Sequence, residues 1–230
     1  MSISTRYIDS SLTDRTKTRV GKILSAHCAD SLKKLTLELG GNCPFLVFED
    51  ANLEQACQGR LMSYFTTASR KLEDSKANQD IAALIPLKFR HAGQACITAN
   101  RVYVQRSIYD KFANFLAEKT RELRVGHGLD EGTTMGALTV PQGLDKTTSQ
   151  VEDAKKNGAT ILTGGNRLDI NDGYFFEPTV ITNATANMKI ASEETFGPLL
   201  ALFPFDTEEE AVKAANNTSV SFFCYSQATL

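Results

Sequence analysis

The residues most able to start a reaction lie in the segment Lys88-Phe89-Arg90-His91-Ala92-Gly93-Gln94-Ala95-Cys96. It places a thiol three residues after a glycine, where the backbone can bend closely. A nucleophilic thiol must be reachable by substrate and held where its thiolate is favoured. The same pattern also describes a turn glycine followed by a small core residue, as most buried cysteines are. Glu38 interrupts the apolar run Leu37-Glu38-Leu39 ahead of Gly40-Gly41. A carboxyl group in apolar surroundings holds its proton more tightly and suits a general base; on a strand edge it is only a solvated side chain. Glu193-Glu194-Thr195-Phe196-Gly197-Pro198 sets acids against a rigid Phe-Gly-Pro turn, which by itself reads as a loop.

Other chemistries find less support. His27, His91 and His127 are scattered, so no Ser/His/Asp or Cys/His relay is placed by motif, and a hydrolase using Cys96 alone is the weaker reading. The glycine pairs at 40–41 and 164–165 lack the G-x-G-x-x-G and P-loop patterns and read as turns. Five cysteines (Cys28, Cys43, Cys57, Cys96 and Cys224) have irregular spacing and no Cys/His set that suits a metal. They fit free thiols in a reducing compartment. The Asn183 and Asn217 sequons read as chance matches.

Positioning such residues requires a core. The chain has 230 residues, 42% hydrophobic and 23% charged, with a net charge of −2. That composition suits a globular fold and gives no electrostatic reason for a nucleic-acid or membrane partner. No apolar run is long enough for a transmembrane helix. The first residues lack the apolar region of a secretory signal. Their Ser, Thr and Arg content is that of an organellar transit peptide, with Asp9 and Asp14 against it. The expectation is a cytoplasmic or mitochondrial-matrix protein that is not secreted.

Apolar patterning predicts strands at Pro44–Phe48, 102–105, Ala159–Leu162, Tyr174–Thr182 and Leu199–Phe205. Helices are expected from Leu53 to Gly59 after Asn52, from Ser107 with Asp110 as cap, from about Leu144 to Lys156, and from a Thr207/Glu210 capping box to Ala215. Strands alternating with helices indicate an α/β fold with parallel pairing. Residues 61–87 are out of character. They are polar and aperiodic over much of their length, and read as a long loop inside a compact domain.

Taken in order, Leu37-Glu38-Leu39-Gly40-Gly41-Asn42, Gly93-Gln94-Ala95-Cys96 and Glu194-Thr195-Phe196-Gly197-Pro198 resemble the signature blocks of the aldehyde dehydrogenase superfamily. Lys88-Phe89-Arg90, Ala99 to Gln105, Leu162 to Gly165 and Tyr174 to Thr179 look like further family blocks, closest to the succinate-semialdehyde dehydrogenase subgroup. The resemblance implies an aldehyde dehydrogenase-type catalytic domain, Rossmann-like with a parallel sheet, and incomplete. It implies oxidation of a small aldehyde, succinate semialdehyde in that subgroup, with NAD or NADP as cofactor. Cys96 is then the nucleophile and Glu38 the base that activates water. The Cys96 N–H supports the oxyanion, and Arg90 pairs with the substrate's distal carboxylate. Glu194, Phe196, Leu39 and Gly40 are then cofactor contacts, and no metal is involved.

The departures from the pattern shape the remaining expectations. Thr98 stands where many members of the subgroup carry a second cysteine, so no disulfide switch is expected. Thr16-Lys17 replaces the family's Gly-Ser pair, which weakens pyrophosphate binding. Residues 1–17 read as unrelated to the family, 18–40 as a remnant of the NAD-binding domain, and 41–230 as a partial catalytic domain with an insertion at about 61–87. Members are homo-oligomers, and the oligomerisation strand is expected to be missing here. The insertion and both aberrant ends suggest translated intron or mis-splicing. The rival function is an inactive fragment that acts at most as a binding module.

Overall fold

A computed structural model of the chain describes residues 14–30, 32–37, 39–53, 84–218 and 224–227. The chain divides into two compact units, Met1–Gly40 and Gly41–Leu230. In the first unit, α1 (Asp14–Ala29) carries Gly21 where Leu39 packs closely; a side chain there would press on the Leu39 methyl groups at 2.9 Å. The segment leading back to Leu39 thus lies against the helix because position 21 has no Cβ.

The second unit is built on one sheet. Its strands are β1 (Cys43–Val47), β2 (Ala99–Gln105), β3 (Thr160–Thr163), β6 (Thr179–Thr182), β7 (Leu199–Phe205) and β8 (Tyr225–Gln227). Their spatial order is β3-β6-β7-β2-β1-β8, parallel throughout except for the antiparallel β3–β6 pair at one edge. A short hairpin of β4 (Arg167–Leu168) and β5 (Phe175–Phe176) stands apart. The interior strands read as continuous apolar runs because both faces are covered. Six of the seven residues of β7 are buried, as are six of the seven of β2.

The helices supply the cover. α2 (Leu84–Phe89) buries Leu84, Ile85, Leu87, Lys88 and Phe89. Pro86 in the same helix is half-buried. α3 (Tyr109–Arg121) buries Tyr109, Phe112, Ala113, Leu116, Ala117 and Thr120, a face at helical spacing. Tyr109 donates to the Leu202 carbonyl at 3.0 Å and accepts from the Asn183 N–H at 2.8 Å; burial pushes its hydroxyl up to about 12. α4 (Pro141–Lys156) ends at Asn157, and Gly158 follows with a φ of +88° that favours glycine. α5 is the single turn Lys189–Ser192, and α6 spans Glu208–Asn216.

Several expectations from the sequence are adjusted. The long loop over 61–87 ends early, because residues 84–87 belong to α2, and Leu84, Ile85 and Leu87 to the core; most of that stretch, and most of the Leu53–Gly59 helix, lie outside the described residues. The strand expected over Tyr174–Thr182 is two pieces, β5 and β6, split at Glu177-Pro178, where proline has no N–H to give a ladder. Ser107 caps nothing: its hydroxyl donates to Glu49 at 2.9 Å, and α3 starts after a single turn of 3-10 helix at Arg106–Ile108. The Thr207 hydroxyl does accept the Glu210 N–H at 3.3 Å and caps α6. No helix among the described residues is long and apolar enough to cross a membrane. Phe112 is fully buried, and Phe112→Ala is expected to cost about 3–5 kcal/mol in a urea titration, from lost transfer energy and the cavity left behind.

Candidate active site

Three of the strands explain why distant motifs meet. β7, β2 and β1 are neighbours and run parallel, so the segments that precede them emerge on one edge of the sheet. Gly41-Asn42 leads into β1, Cys96 to Thr98 into β2, and Thr195 to Pro198 into β7. The β1–β2 ladder has a bulge at Pro44: Cys43 pairs with Ala99 and Pro44 with Arg101, so Asn100 is skipped. Proline at that point leaves the ladder short of a donor anyway. The skipped residue is a buried polar one that meets other partners.

The thiol segment has an unusual backbone. His91, Ala92 and Gly93 all have positive φ, at +53°, +52° and +76°. Two non-glycine residues in the left-handed region store strain that surrounding contacts must hold. One contact is at Gly93, where a Cβ would collide with the carbonyl oxygen of Gly197. A side chain on Gly197 would in turn collide with the Thr147 hydroxyl on α4. Gln94 adds anchorage: its amide donates to the His91 carbonyl at 2.9 Å and the Ala137 carbonyl at 3.4 Å. Its oxygen accepts from the Thr139 N–H at 3.0 Å and the Thr139 hydroxyl at 2.9 Å. Beyond Cys96, Thr98 closes a turn onto the Ala95 carbonyl through both its N–H and its hydroxyl. Cys96 itself is partly exposed, and its carbonyl accepts a weak bond from the buried Cys43 thiol at 3.6 Å.

A closed circuit of buried bonds joins the three segments. The Gly41 N–H donates to Glu194 Oε1 at 3.2 Å, and the Gly41 carbonyl accepts from Asn100 Nδ2 at 3.3 Å. Asn100 Oδ1 accepts from Lys88 Nζ at 2.8 Å, and Lys88 also donates to the Thr195 carbonyl at 3.2 Å. Glu194 and Thr195 are consecutive, which closes the loop. Lys88 has no solvent exposure and Glu194 is 1% exposed. Burial lowers the Lys88 ammonium to about 7, against the pull of the Glu194 carboxylate and the Cys43 thiol, with Lys146 adding like-charge repulsion.

The expected site residues are only partly gathered. Cys96, Glu194 and Phe196 share the strand-edge cluster, and Phe196 is half-buried. Arg90 is exposed and lines a cleft of about 690 Å³ with Ile85, Phe89, His91, Gln94 and Met135, whose wall stops two residues short of Cys96. Its Nε donates to His91 Nε2 at 3.2 Å. Leu39, half-buried, and Gly40, buried, belong to the first unit, and Glu38 lies outside the described residues. Among the described residues no cluster of three or more potential metal ligands occurs.

Two residues that matter here escape a reading by motif. Lys88 stands in a family block, yet its burial is legible only in the apolar neighbours Leu87 and Phe89. Arg101, 1% exposed, gives its guanidinium to carbonyls of Asn42, Ala214, Ala215 and Asn217 and to the Tyr103 hydroxyl. It ties the end of α6, where helix carbonyls lack partners, to the entry of β1.

Gly93→Ala is expected to displace the thiol turn, at a cost of about 2–4 kcal/mol in chemical denaturation from the collision and the positive φ. Because Lys88 releases its proton at about 7 when folded and only near 10.5 when unfolded, the unfolded state holds the extra proton between those values. Stability therefore rises with pH across that window. Comparing urea unfolding near pH 7 and near pH 9 should show that rise in the parent chain and its loss in Lys88→Met.

Comparison with known proteins places these features in context. The sequence profile described as "Aldehyde dehydrogenase family" matches residues 15–71 and 72–224, and the break falls inside the out-of-character stretch 61–87. Over 208 residues the chain is 43% identical to Succinate-semialdehyde dehydrogenase [NADP(+)] 1 of Schizosaccharomyces pombe, covering 90% of this chain and 37% of the relative. It is 42% identical over 208 residues to 3-sulfolactaldehyde dehydrogenase of Pseudomonas putida, covering 90% and 38%. The crystal structure of succinate-semialdehyde dehydrogenase from Burkholderia pseudomallei superimposes with a TM-score of 0.80 at 40% identity, over 93% of this chain and 39% of that one. The chain thus spans less than two-fifths of the length of these relatives. Its ordered motifs, its sheet and these likenesses agree: the chain belongs to the aldehyde dehydrogenase family.

Proposed function

We propose that the chain carries the thiol side of an aldehyde-oxidising site. In this reading Cys96 attacks a small aldehyde bearing a distal carboxylate, of the succinate semialdehyde type, and the product is the carboxylic acid. The observation that supports it best is the strained turn at residues 91–93, which is held against the Gly197 carbonyl and carries a partly exposed thiol beside the Glu194 loop. A backbone held in sparsely populated geometry is what a positioned nucleophile needs.

The reacting end of a nicotinamide dinucleotide presents a ribose diol and a flat ring, and the residues at the strand edge fit that chemistry. Glu194 offers carboxylate acceptors, the buried Thr195 hydroxyl has no hydrogen-bond partner among the described residues, and Phe196 is half-buried. Glu194 is 1% exposed and bonded to the Gly41 N–H, so a ribose contact needs that bond to yield or the second oxygen to be uncovered. Leu39 and Gly40 are assigned to the same cofactor by family resemblance. When bound, NAD+ or NADP+ supplies the acceptor for the hydride that leaves the aldehyde carbon; the name of the S. pombe relative specifies NADP(+).

The protein's own groups divide the remaining work. The Cys96 thiolate forms the carbon–sulfur bond and its backbone N–H steadies the alkoxide, so one difficult step becomes two. Glu38 takes a proton from the water that cleaves the resulting thioester, returning the thiol and releasing the acid. The Arg90 guanidinium, at the wall of the cleft, holds the distal carboxylate.

The test is formation of NADH or NADPH from succinate semialdehyde by the purified chain. Cys96→Ala is expected to lower it by about a thousandfold or more, and equal rates in the two would sink the reading. Labelling of Cys96 without turnover would favour a binding module that retains its thiol. Arg90→Ala is expected to raise KM for succinate semialdehyde about 10–100-fold while changing KM for propanal less than about threefold. A uniform change for both aldehydes would remove Arg90 from carboxylate recognition.

A further inference from the structure

Lys88 is a fully buried charged group that the proposed chemistry does not use. Its ammonium has no solvent exposure and faces Asn100 Oδ1 and the Thr195 carbonyl, with the Glu194 carboxylate near enough to pull on its proton. Burying a lysine's charge is costly unless hydrogen bonds and an opposite charge hold it. Here the charge sits at the joint of the circuit that runs from Gly41 through Glu194, Thr195, Lys88 and Asn100 back to Gly41.

We propose that Lys88 is a positioning residue whose ammonium locks the Glu194–Phe196 loop to the Cys96 segment and so fixes the separation of thiol and cofactor contacts. The proposal rests on the functional reading above. The geometry favours it in two ways. Lys88 lies on α2, eight residues before Cys96, and reaches past the bulge at Pro44 to the residue that the ladder skips. Its second bond lands on the carbonyl that follows Glu194, and charge-assisted bonds of this kind are about twice as strong as neutral ones. Once the ammonium loses its proton, the two donors remain but the attraction to Glu194 is gone. The groups acting on it are Glu194 and Cys43, which favour the charge, and Lys146, which opposes it.

The test compares the full chain with Lys88→Met and Asn100→Ala by amide hydrogen exchange over residues 94–98 and 193–198, with N-ethylmaleimide labelling of Cys96 read by peptide mass spectrometry. Both segments are expected to exchange about tenfold faster in Lys88→Met at pH 6, and Cys96 to label faster. Opening that uncovers Lys88 is favoured by protonation, so after correction for intrinsic exchange the parent chain should exchange more slowly over 193–198 as pH rises through about 7 while Lys88→Met stays level, a local dependence that a filler role would not produce. A folded Lys88→Met chain that exchanges like the parent, or a ratio independent of pH, would overturn the proposal. Should Lys88→Met fail to fold, Asn100→Ala decides: faster exchange at 193–198 supports the lock, and parent-like exchange overturns it. If neither variant folds, Lys88 is a core residue only and the proposal falls. Exchange needs no reactive thiol, so a Cys96 that proves inert would count against the functional reading and leave this result standing.

Discussion

Parallel pairing of β1, β2 and β7 is the constraint from which the rest of the second unit follows. Strands that run side by side in one direction must deliver the segments before them to the same edge, however far apart those segments lie in the chain. That is how residues near 41, 96 and 195 come within hydrogen-bonding range. The sheet sets only their coarse position. Finer placement comes from backbone against backbone, because Gly93 and Gly197 lack the atoms that would hold their neighbours apart. The two effects act in sequence: topology makes the meeting possible, and the absence of two Cβ atoms makes it close.

Two buried cations meet the cost of desolvation by different routes. Arg101 spreads its charge over a guanidinium whose acceptors are backbone carbonyls, several at the end of α6, where acceptors are in surplus. Lys88 has a compact charge that meets an amide oxygen and one carbonyl among the described residues, and burial lowers its ammonium to about 7. The arginine acts as a permanent fastener between α6 and β1. The lysine is a fastener whose strength depends on solution conditions near neutrality.

Much of this architecture is legible in the residues. β7 runs from Leu199 to Phe205 as its continuous apolar pattern predicts, and the Thr207–Glu210 cap forms. Local patterning was less informative where a tertiary partner decides the outcome. The Ser107 hydroxyl is drawn away by Glu49, Glu177-Pro178 breaks a strand that hydrophobicity alone would continue, and α2 is hidden behind a polar stretch and a proline. Cys96 and Glu194 could be singled out as part of an ordered set of motifs. Their connection through Lys88 and Asn100 could not, because lysine ordinarily belongs at the surface and nothing in the one-dimensional pattern reports a bulge at Pro44. Leu39 and Gly40 belong to the first unit, and their place in a cofactor site comes from the family motif alone.

The consecutive left-handed residues before the thiol also bear on portability. In an isolated peptide with this sequence the Gln94 bonds to the His91 carbonyl would be the main restraint left, and His91 and Ala92 are expected to relax into ordinary backbone regions. The shape is imposed from outside, by the Gly197 carbonyl and by residues 137–139 on the far side of Gln94. A loop transplanted from this protein, or a cyclic mimic of it, would carry the cysteine but not the conformation. The smallest transferable unit is the turn together with the strand entry it leans on.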